Sequence, residues 1–437
     1  MRFKSIRHLS SFKGLSSNFI ALSFGVSVQS IIQIVSLPLF LNQIGLNRYA
    51  LWLFAYSLSQ ISGLLDFGSM ASLQNSLSRF HFQKKFSEID ASVKQTINIL
   101  ILTSVLFLIF IYIFDNFGSH NLDLKLVTVF VISNLLQSFM GPLEAMSRID
   151  NNVSLGLYIG NILRITEFVG TVIGIFTFQT SILKIAALGL LFKLSFFSFV
   201  IVKLSSKYRF VRFGWPNLSK IFFLLRNGFP FLVIKISDLV TISGLLIVLK
   251  GKMTSTEFVV FVAARTFFRI GLQITTLVAH TFGYGMSRCW VTSDIIGMKK
   301  LIQQSARITF CLSALGMGLY LFVGKAIFLL WIHKQISPDS FTIVFGACYA
   351  FLLSINQNQK TKFYAVNHAS FVSFIQLSFS LGLVILVNYA GLEFKVASVF
   401  FILAVFELLN FMVVNLFTRN SLDQYFASTD QNFLPNE

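Results

Sequence analysis

The sequence predicts an all-α polytopic membrane protein with about twelve transmembrane helices in two six-helix lobes. Of its 437 residues, 55% are hydrophobic and only 12% are charged, about half the charged share of an ordinary soluble domain. Mean hydropathy is +0.75. Apolar runs long enough to cross a bilayer recur along the whole chain. Together these exclude a soluble enzyme and a disordered chain. The three cysteines Cys289, Cys311 and Cys348 provide no disulfide framework. The six histidines show no zinc spacing, so no metal or cofactor is implied.

The runs fall at about 15–40, 49–65, 96–114, 126–143, 153–176, 182–202, 227–249, 258–280, 308–330, 341–356, 370–390 and 396–417. Continuous apolarity of this length specifies helices rather than strands. The tenth run is the shortest. The first follows a basic stretch, but it is too long for a signal peptide core and lacks a small-residue cleavage site. It is therefore read as an uncleaved first helix.

Orientation follows from Lys and Arg on alternating sides. With the N-terminus cytoplasmic, 22 of the 35 fall on the inner side, 7 on the outer side and 6 within spans. The positive-inside rule then places both termini in the cytoplasm. The net charge of +18 is accordingly assigned to inner loops facing anionic membrane lipids, and no nucleic-acid partner is needed. Trp52 and Trp331 near outer ends, and Trp215 and Trp290 near inner loops, fit aromatic anchoring at the headgroups.

The inner connection 203–226 carries six cations, no acid, and Gly214-Trp215-Pro216. It is the expected boundary between an N-terminal lobe, 1–202, and a C-terminal lobe, 227–437. A faint repeat agrees. Shifting the chain by 209 positions superposes Asn18 on Asn227, Tyr49 on Phe258, Trp52 on Phe261, Ala55 on Ala264 and Ile61 on Ile270. Six helices per half make the repeats parallel, as in two-lobe transporters that bind cargo near the midplane and rock around it. There is no filter-like glycine signature and no acidic ring of a channel.

Charges near mid-span are the candidate functional residues. They are Arg164 and Glu167, Lys193, Lys235 and Asp238, Arg265 and Arg269, and Glu407. Each mid-helix charge costs roughly 2.5–3.5 kcal/mol to insert, so each should pair internally or face water. Lys325, near an outer end, can snorkel. Arg164/Glu167 and Lys235/Asp238 have the i,i+3 spacing of same-face ion pairs; Asp238 could instead titrate or hold a coupling cation. Arg265 and Arg269 are like-charged i,i+4 neighbours, so an anion should compensate them. Glu407, Glu167 and a substrate phosphate are the candidates, and the guanidinium fork suits phosphate. In the repeat they align with Tyr56 and Gln60, which makes the cationic cluster a feature of the second half. Gly156-x-x-x-Gly160 and Gly170-x-x-x-Gly174 point to close helix packing.

Two local motifs carry a resemblance. Leu37-Pro38-Leu39-Phe40-Leu41-Asn42-Gln43-Ile44-Gly45 precedes Tyr49-Ala50-Leu51-Trp52. Leu64-Leu65-Asp66-Phe67-Gly68 leads into the polar segment ending Asn75-Ser76-Leu77-Ser78-Arg79. Together they resemble the N-terminal helices of Wzx-type polysaccharide flippases. Those belong to the multidrug/oligosaccharidyl-lipid/polysaccharide (MOP) superfamily, with the MATE exporters and the lipid II flippase. The physical reading of the second motif is that Asp66 and Gly68 stop the helix, and the polar segment then lies along the headgroups.

The resemblance implies a MOP/MATE-like fold in a bacterial cytoplasmic membrane. It implies no enzyme activity, but the flipping of undecaprenyl-pyrophosphate-linked oligosaccharide repeat units for O-antigen or capsule assembly. A polysaccharide polymerase and a chain-length regulator are candidate partners. Cavity cations would meet the diphosphate: Arg265 and Arg269 first, then Lys235, Lys193 and Arg164. Asp238, Glu407 and Glu167 are the ion-coupling candidates. Twelve helices rather than fourteen separate the chain from the lipid II flippase branch. Two alternatives remain open: a cation-coupled multidrug exporter on the same fold, and a membrane-embedded polymerase. The exporter would be expected to have an acidic cavity, and the polymerase a large outer loop with Arg and His, whereas the outer loops here are short and hold only His120 and His333.

Overall fold

The computed structural model describes residues 2–117, 124–149, 153–208, 217–291, 294–332, 336–365, 369–389 and 395–432. Gly214, Trp215, Pro216, His120 and His333 therefore lie outside the described residues. The helices are α1 (Arg2–Ile44), α2 (Leu46–Ser59), α3 (Ser69–Phe82), α4 (Phe86–Phe117), α5 (Leu124–Ser138), α6 (Gly141–Ile149), α7 (Val153–Thr177) and α8 (Ile182–Tyr208). They continue as α9 (Leu218–Leu239), α10 (Leu245–Lys252), α11 (Ser255–Val291), α12 (Ile295–Trp331), α13 (Ser340–Ala365), α14 (Ala369–Tyr389) and α15 (Val396–Asn432). No strand occurs among the described residues. Eleven helical stretches among them are long and apolar enough to cross a membrane, and the chain is a multi-pass membrane protein.

Each apolar run of the sequence is helical, and three are interrupted for local reasons. The second run is α2 followed by a 3-10 turn, Gln60–Leu64, which is why it falls short of a full-length span. The fourth divides at Phe139–Met140, where Gly141 and Pro142 begin α6; proline is tolerated in a first helical turn, whose N–H groups lack intrahelical acceptors. The seventh passes from α9 through a π-helical turn, Val240–Gly244, into α10. The tenth run is longer than its apolar part, since α13 continues to Ala365 through Asn356-Gln357-Asn358-Gln359-Lys360.

The chain forms two compact units, 1–251 and 252–437. In the first, α1 packs on α7, α7 on α8, α8 on α5, and α5 on α2. Gly170 and Gly174 account for the α7–α8 contact: a β-carbon at Gly170 would lie 2.8 Å from the Leu188 carbonyl oxygen, and one at Gly174 3.0 Å from the Ile185 α-carbon. The packing reading of these glycines is correct. Trp52, expected as an interfacial anchor, is also built into this core, with Phe40 and Phe130 ring centroids 4.7 and 4.8 Å away.

Two features of the first unit differ from expectation. Helix α3, expected along the headgroups, packs against α4, α6 and α9, with Leu73 and Leu77 buried. Its apolar face found protein rather than lipid. Helix α9, which the sequence assigns to the second lobe, lies with the first unit, against α3, α4 and the 3-10 turn. The contact is close because two glycines meet. Gly68 has φ +75°, and a β-carbon there would sit 2.1 Å from the Gly228 carbonyl oxygen. Lys220 of α9 also pairs with Glu88 of α4 at 2.9 Å.

In the second unit α13 is central, packing against α11, α12 and α15, with α14 on α15. Phe267 and Phe268 of α11 join Tyr320, Phe328 and Trp331 of α12 in an aromatic core, with neighbouring centroids 5.1–6.1 Å apart.

A β-carbon at Gly228 would lie 2.7 Å from the Gly68 backbone. Gly228→Val should therefore force α9 away from the α2–α3 turn, at the cost of about 1–3 kcal/mol typical of overpacking. The expected result is a lower thermal unfolding midpoint in detergent, and an unchanged midpoint would contradict this contact.

Candidate functional site

In the second unit Arg265 and Arg269 lie one turn apart on α11. Arg265 is only 5% exposed, and its guanidinium is hydrogen-bonded to the buried Tyr349 of α13. Arg269 is half-buried. The Tyr320 hydroxyl of α12 is inserted into the α11 backbone ladder around it: it accepts from Gly271 N at 3.0 Å and donates to Phe267 O at 3.1 Å. This fixes the backbone turn that carries Arg269.

Glu407 of α15, expected as a compensating carboxylate, belongs to the same neighbourhood. Tyr349 lies within electrostatic reach of Arg265, Arg269 and Glu407. Asn356 Nδ2 donates to the Glu407 carboxylate at 2.5 Å and to its carbonyl at 2.8 Å. Among the described residues, two guanidinium groups and one carboxylate act on Tyr349.

Sequence reasoning misses the amides that hold it. Gln357 accepts from Thr276 of α11 at 2.7 Å, and Asn358 accepts from Ser305 of α12 at 2.5 Å. Gln359 donates to Asn415 of α15 at 3.4 Å. Four consecutive amides thus tie α13 to three neighbours, α11, α12 and α15. Their signal is an uninterrupted polar run attached to an apolar one.

In the first unit the carboxylates choose partners from other helices. Lys193 of α8 pairs with Glu167 of α7 at 2.6 Å and donates to Ser133 of α5 at 2.8 Å, while Ser133 donates to the other Glu167 oxygen at 2.5 Å. The local Arg164/Glu167 pairing is corrected accordingly. The Lys193 side chain is 3% exposed and needs a carboxylate, whereas Arg164 is exposed. The Lys235/Asp238 pairing is likewise replaced. Lys235 pairs with Asp66 at 2.5 Å, and Asp238 is exposed. Asp66 also accepts from Gly68 N at 3.1 Å, so it closes the turn as expected and holds a cation besides. No group of three or more His, Cys, Asp or Glu able to hold a metal ion occurs among the described residues.

No protein-family model and no curated sequence matches the chain. Solved structures do match over nearly its full length. The MATE multidrug transporter DinF-BH has a TM-score of 0.71 at 14% identity, covering 93% of this chain and 95% of that one. The Vibrio cholerae MATE transporter VcmN has a TM-score of 0.70 at 14% identity, with 94% and 97% covered. The fold is that of the MATE transporters. A third match is a MOP superfamily transporter from Pyrococcus furiosus, described by a reverse polarity of its binding pocket suggesting a different function. Its TM-score is 0.62 at 13% identity, with 92% and 95% covered.

Glu167→Gln should destabilise the protein more than most single changes, because it leaves the Lys193 ammonium buried without its carboxylate. Breaking such a pair costs about 3–5 kcal/mol. Replacing both by apolar residues, Glu167→Leu with Lys193→Met, should recover much of the loss. Thermal unfolding in detergent checks the order. A double variant no more stable than Glu167→Gln would contradict a pair held by mutual neutralisation.

Proposed function

We propose that this chain is a transporter working by alternating access, and that its passenger is an anionic lipid-linked oligosaccharide of the undecaprenyl diphosphate type. It would move this passenger from the inner to the outer leaflet of a bacterial cytoplasmic membrane, with both termini inside. The MATE-like fold supports the transporter reading. The observation that carries the choice of passenger is the unequal charge around Tyr349, which lies within electrostatic reach of two guanidinium groups, Arg265 and Arg269, and of one carboxylate, Glu407. A MATE-like chain adapted to cations would need the opposite balance.

Within that reading the roles divide by exposure. Arg269 is the contact with the diphosphate, its guanidinium offering two parallel donors. Arg265, enclosed against Tyr349, sets the positive potential behind it. In the first unit Lys235 and Arg164 keep partly open side chains and are that unit's candidates for meeting an anion. Lys193 is held in a closed triad and contributes mainly to the bundle. A membrane potential negative inside favours outward movement of negative charge by roughly 2.3 kcal/mol per charge per 100 mV. Polysaccharide polymerase and chain-length regulator are the partners this role implies.

The second reading is a multidrug exporter. The likeness to DinF-BH, a multidrug transporter by its description, favours it as directly as it favours any MATE-like transport. The two separate in one strain lacking the gene. Complementation with Arg265→Ala/Arg269→Ala should fail to restore surface polysaccharide while the protein reaches the membrane at normal levels. Normal polysaccharide from that double variant would contradict the assigned passenger. Wild-type protein that changes only resistance to cationic dyes would establish the exporter instead.

A further inference from the structure

The hydroxyl of Tyr320 occupies both halves of one backbone pair in α11. In an uninterrupted α-helix the N–H of residue 271 donates to the carbonyl of residue 267. Here Gly271 N donates to Tyr320 Oη at 3.0 Å, while Oη donates to Phe267 O at 3.1 Å and has Phe268 O at 3.4 Å. Gly271 is what admits it: a β-carbon there would lie 2.6 Å from the hydroxyl oxygen and 3.2 Å from ring carbon Cε2. The threonines of the same stretch bond within the helix, Thr266 to Val262 O at 2.8 Å and Thr275 to Leu272 O at 2.9 Å. Tyr320 reaches in from α12, 49 positions away.

The ring alone does not call for this hydroxyl. It packs edge-on to Phe267 and Phe268, with centroids 5.1 and 5.2 Å away, as a phenylalanine would. In a chain with 52 Phe and 11 Tyr, phenylalanine is the usual aromatic. What the hydroxyl adds is its place in the ladder. A side chain inserted between an N–H and its i−4 carbonyl changes the local winding and direction of a helix. Arg269 stands inside that turn, between Phe267 and Gly271, and is half-buried, whereas Arg265, one turn earlier, is enclosed with Tyr349.

The geometry points to Tyr320 as a positioning residue for phosphate recognition: by holding the Phe267–Gly271 turn, its hydroxyl sets the direction of the Arg269 guanidinium. Tyr320 acts through Arg269 and not on the anion. A fork of donors binds two phosphate oxygens only when its plane is aligned with them, so a turned guanidinium loses one of the two hydrogen bonds while keeping its charge. Without the hydroxyl, Gly271 N and Phe267 O pair directly, as in an uninterrupted helix, and Arg269 swings with the tightened turn. This role deepens the reading of Arg269 as the diphosphate contact and rests on it, whereas the direction of Arg269 can be followed without any passenger.

Two measurements on the purified full-length protein in detergent test it. Phenylglyoxal modification, read arginine by arginine by mass spectrometry, should proceed at a different rate at Arg269 in Tyr320→Phe than in wild type, with Arg307, exposed on α12, unchanged. Equal rates at Arg269 overturn the positioning role, whatever the passenger. Farnesyl diphosphate should bind Tyr320→Phe about 10-fold more weakly than wild type, within the range a misplaced contact costs, while farnesol binds both alike. Gly271→Ala, which crowds the hydroxyl out, should match it. In Arg269→Gln, Tyr320→Phe should cost nothing further, because residues acting through one contact are not additive. Diphosphate affinity unchanged in Tyr320→Phe or in Gly271→Ala, equal losses for diphosphate and farnesol, or independent losses in the double variant also overturn the proposal. Failure of farnesyl diphosphate to bind wild type, with the Arg269 rate altered, counts against a diphosphate passenger and leaves the positioning role standing.

Discussion

A charge buried inside an apolar helix must be answered from within the bundle, and that constraint organises this molecule. In the first unit the answers are pairs between distant segments: Lys193 with Glu167, and Lys235 with Asp66. In the second unit, cations outnumber the carboxylate within electrostatic reach of Tyr349 among the described residues. Arg265 leans on Tyr349, and Glu407 is tethered by Asn356, yet Arg269 adds a second guanidinium to the same neighbourhood. Cationic charge inside a membrane-spanning helix is expensive to maintain. An anionic cargo would offset that cost each time it binds, which gives the excess a purpose that packing alone does not.

The two units meet their polar demands by different means. The first uses tight backbone approach, with Gly68 against Gly228 and Gly170 and Gly174 against α8, so that short-range pairs can form. The second uses the amide run of α13, which reaches Thr276, Ser305, Glu407 and Asn415 on three helices. Interhelical hydrogen bonds of this kind contribute modestly one by one. Spread over one central helix, they define where each neighbour sits, including the helix that carries Arg265 and Arg269.

The number and position of the helices are legible in the sequence because apolar composition over some twenty residues leaves the chain few options. Partnerships are much less legible. The i,i+3 spacing suggests Arg164 with Glu167 and Lys235 with Asp238, but a bundle offers partners from every side. A buried ammonium takes the carboxylate that burial places nearest, as Lys193 does with Glu167. Asp66 reads as a turn-forming residue, which it is, while its cation comes from a helix 169 positions away. The end of α13 reads as loop because its residues are polar, although their polarity is spent inside the unit. Placement of α9 depends on a glycine contact between distant segments, which periodicity does not report.

The central claim is that positive charge on α11 recognises phosphate, and a binding comparison tests it directly. Purified protein would be titrated with a fluorescent prenyl diphosphate and with the matching prenol, for wild type and Arg269→Gln. Wild type should prefer the diphosphate, and Arg269→Gln should weaken that binding by about 10–100-fold, the loss expected for hydrogen bonds between charged groups, with prenol binding unchanged. Equal binding of diphosphate and prenol to wild type, or a diphosphate affinity indifferent to Arg269, would contradict it.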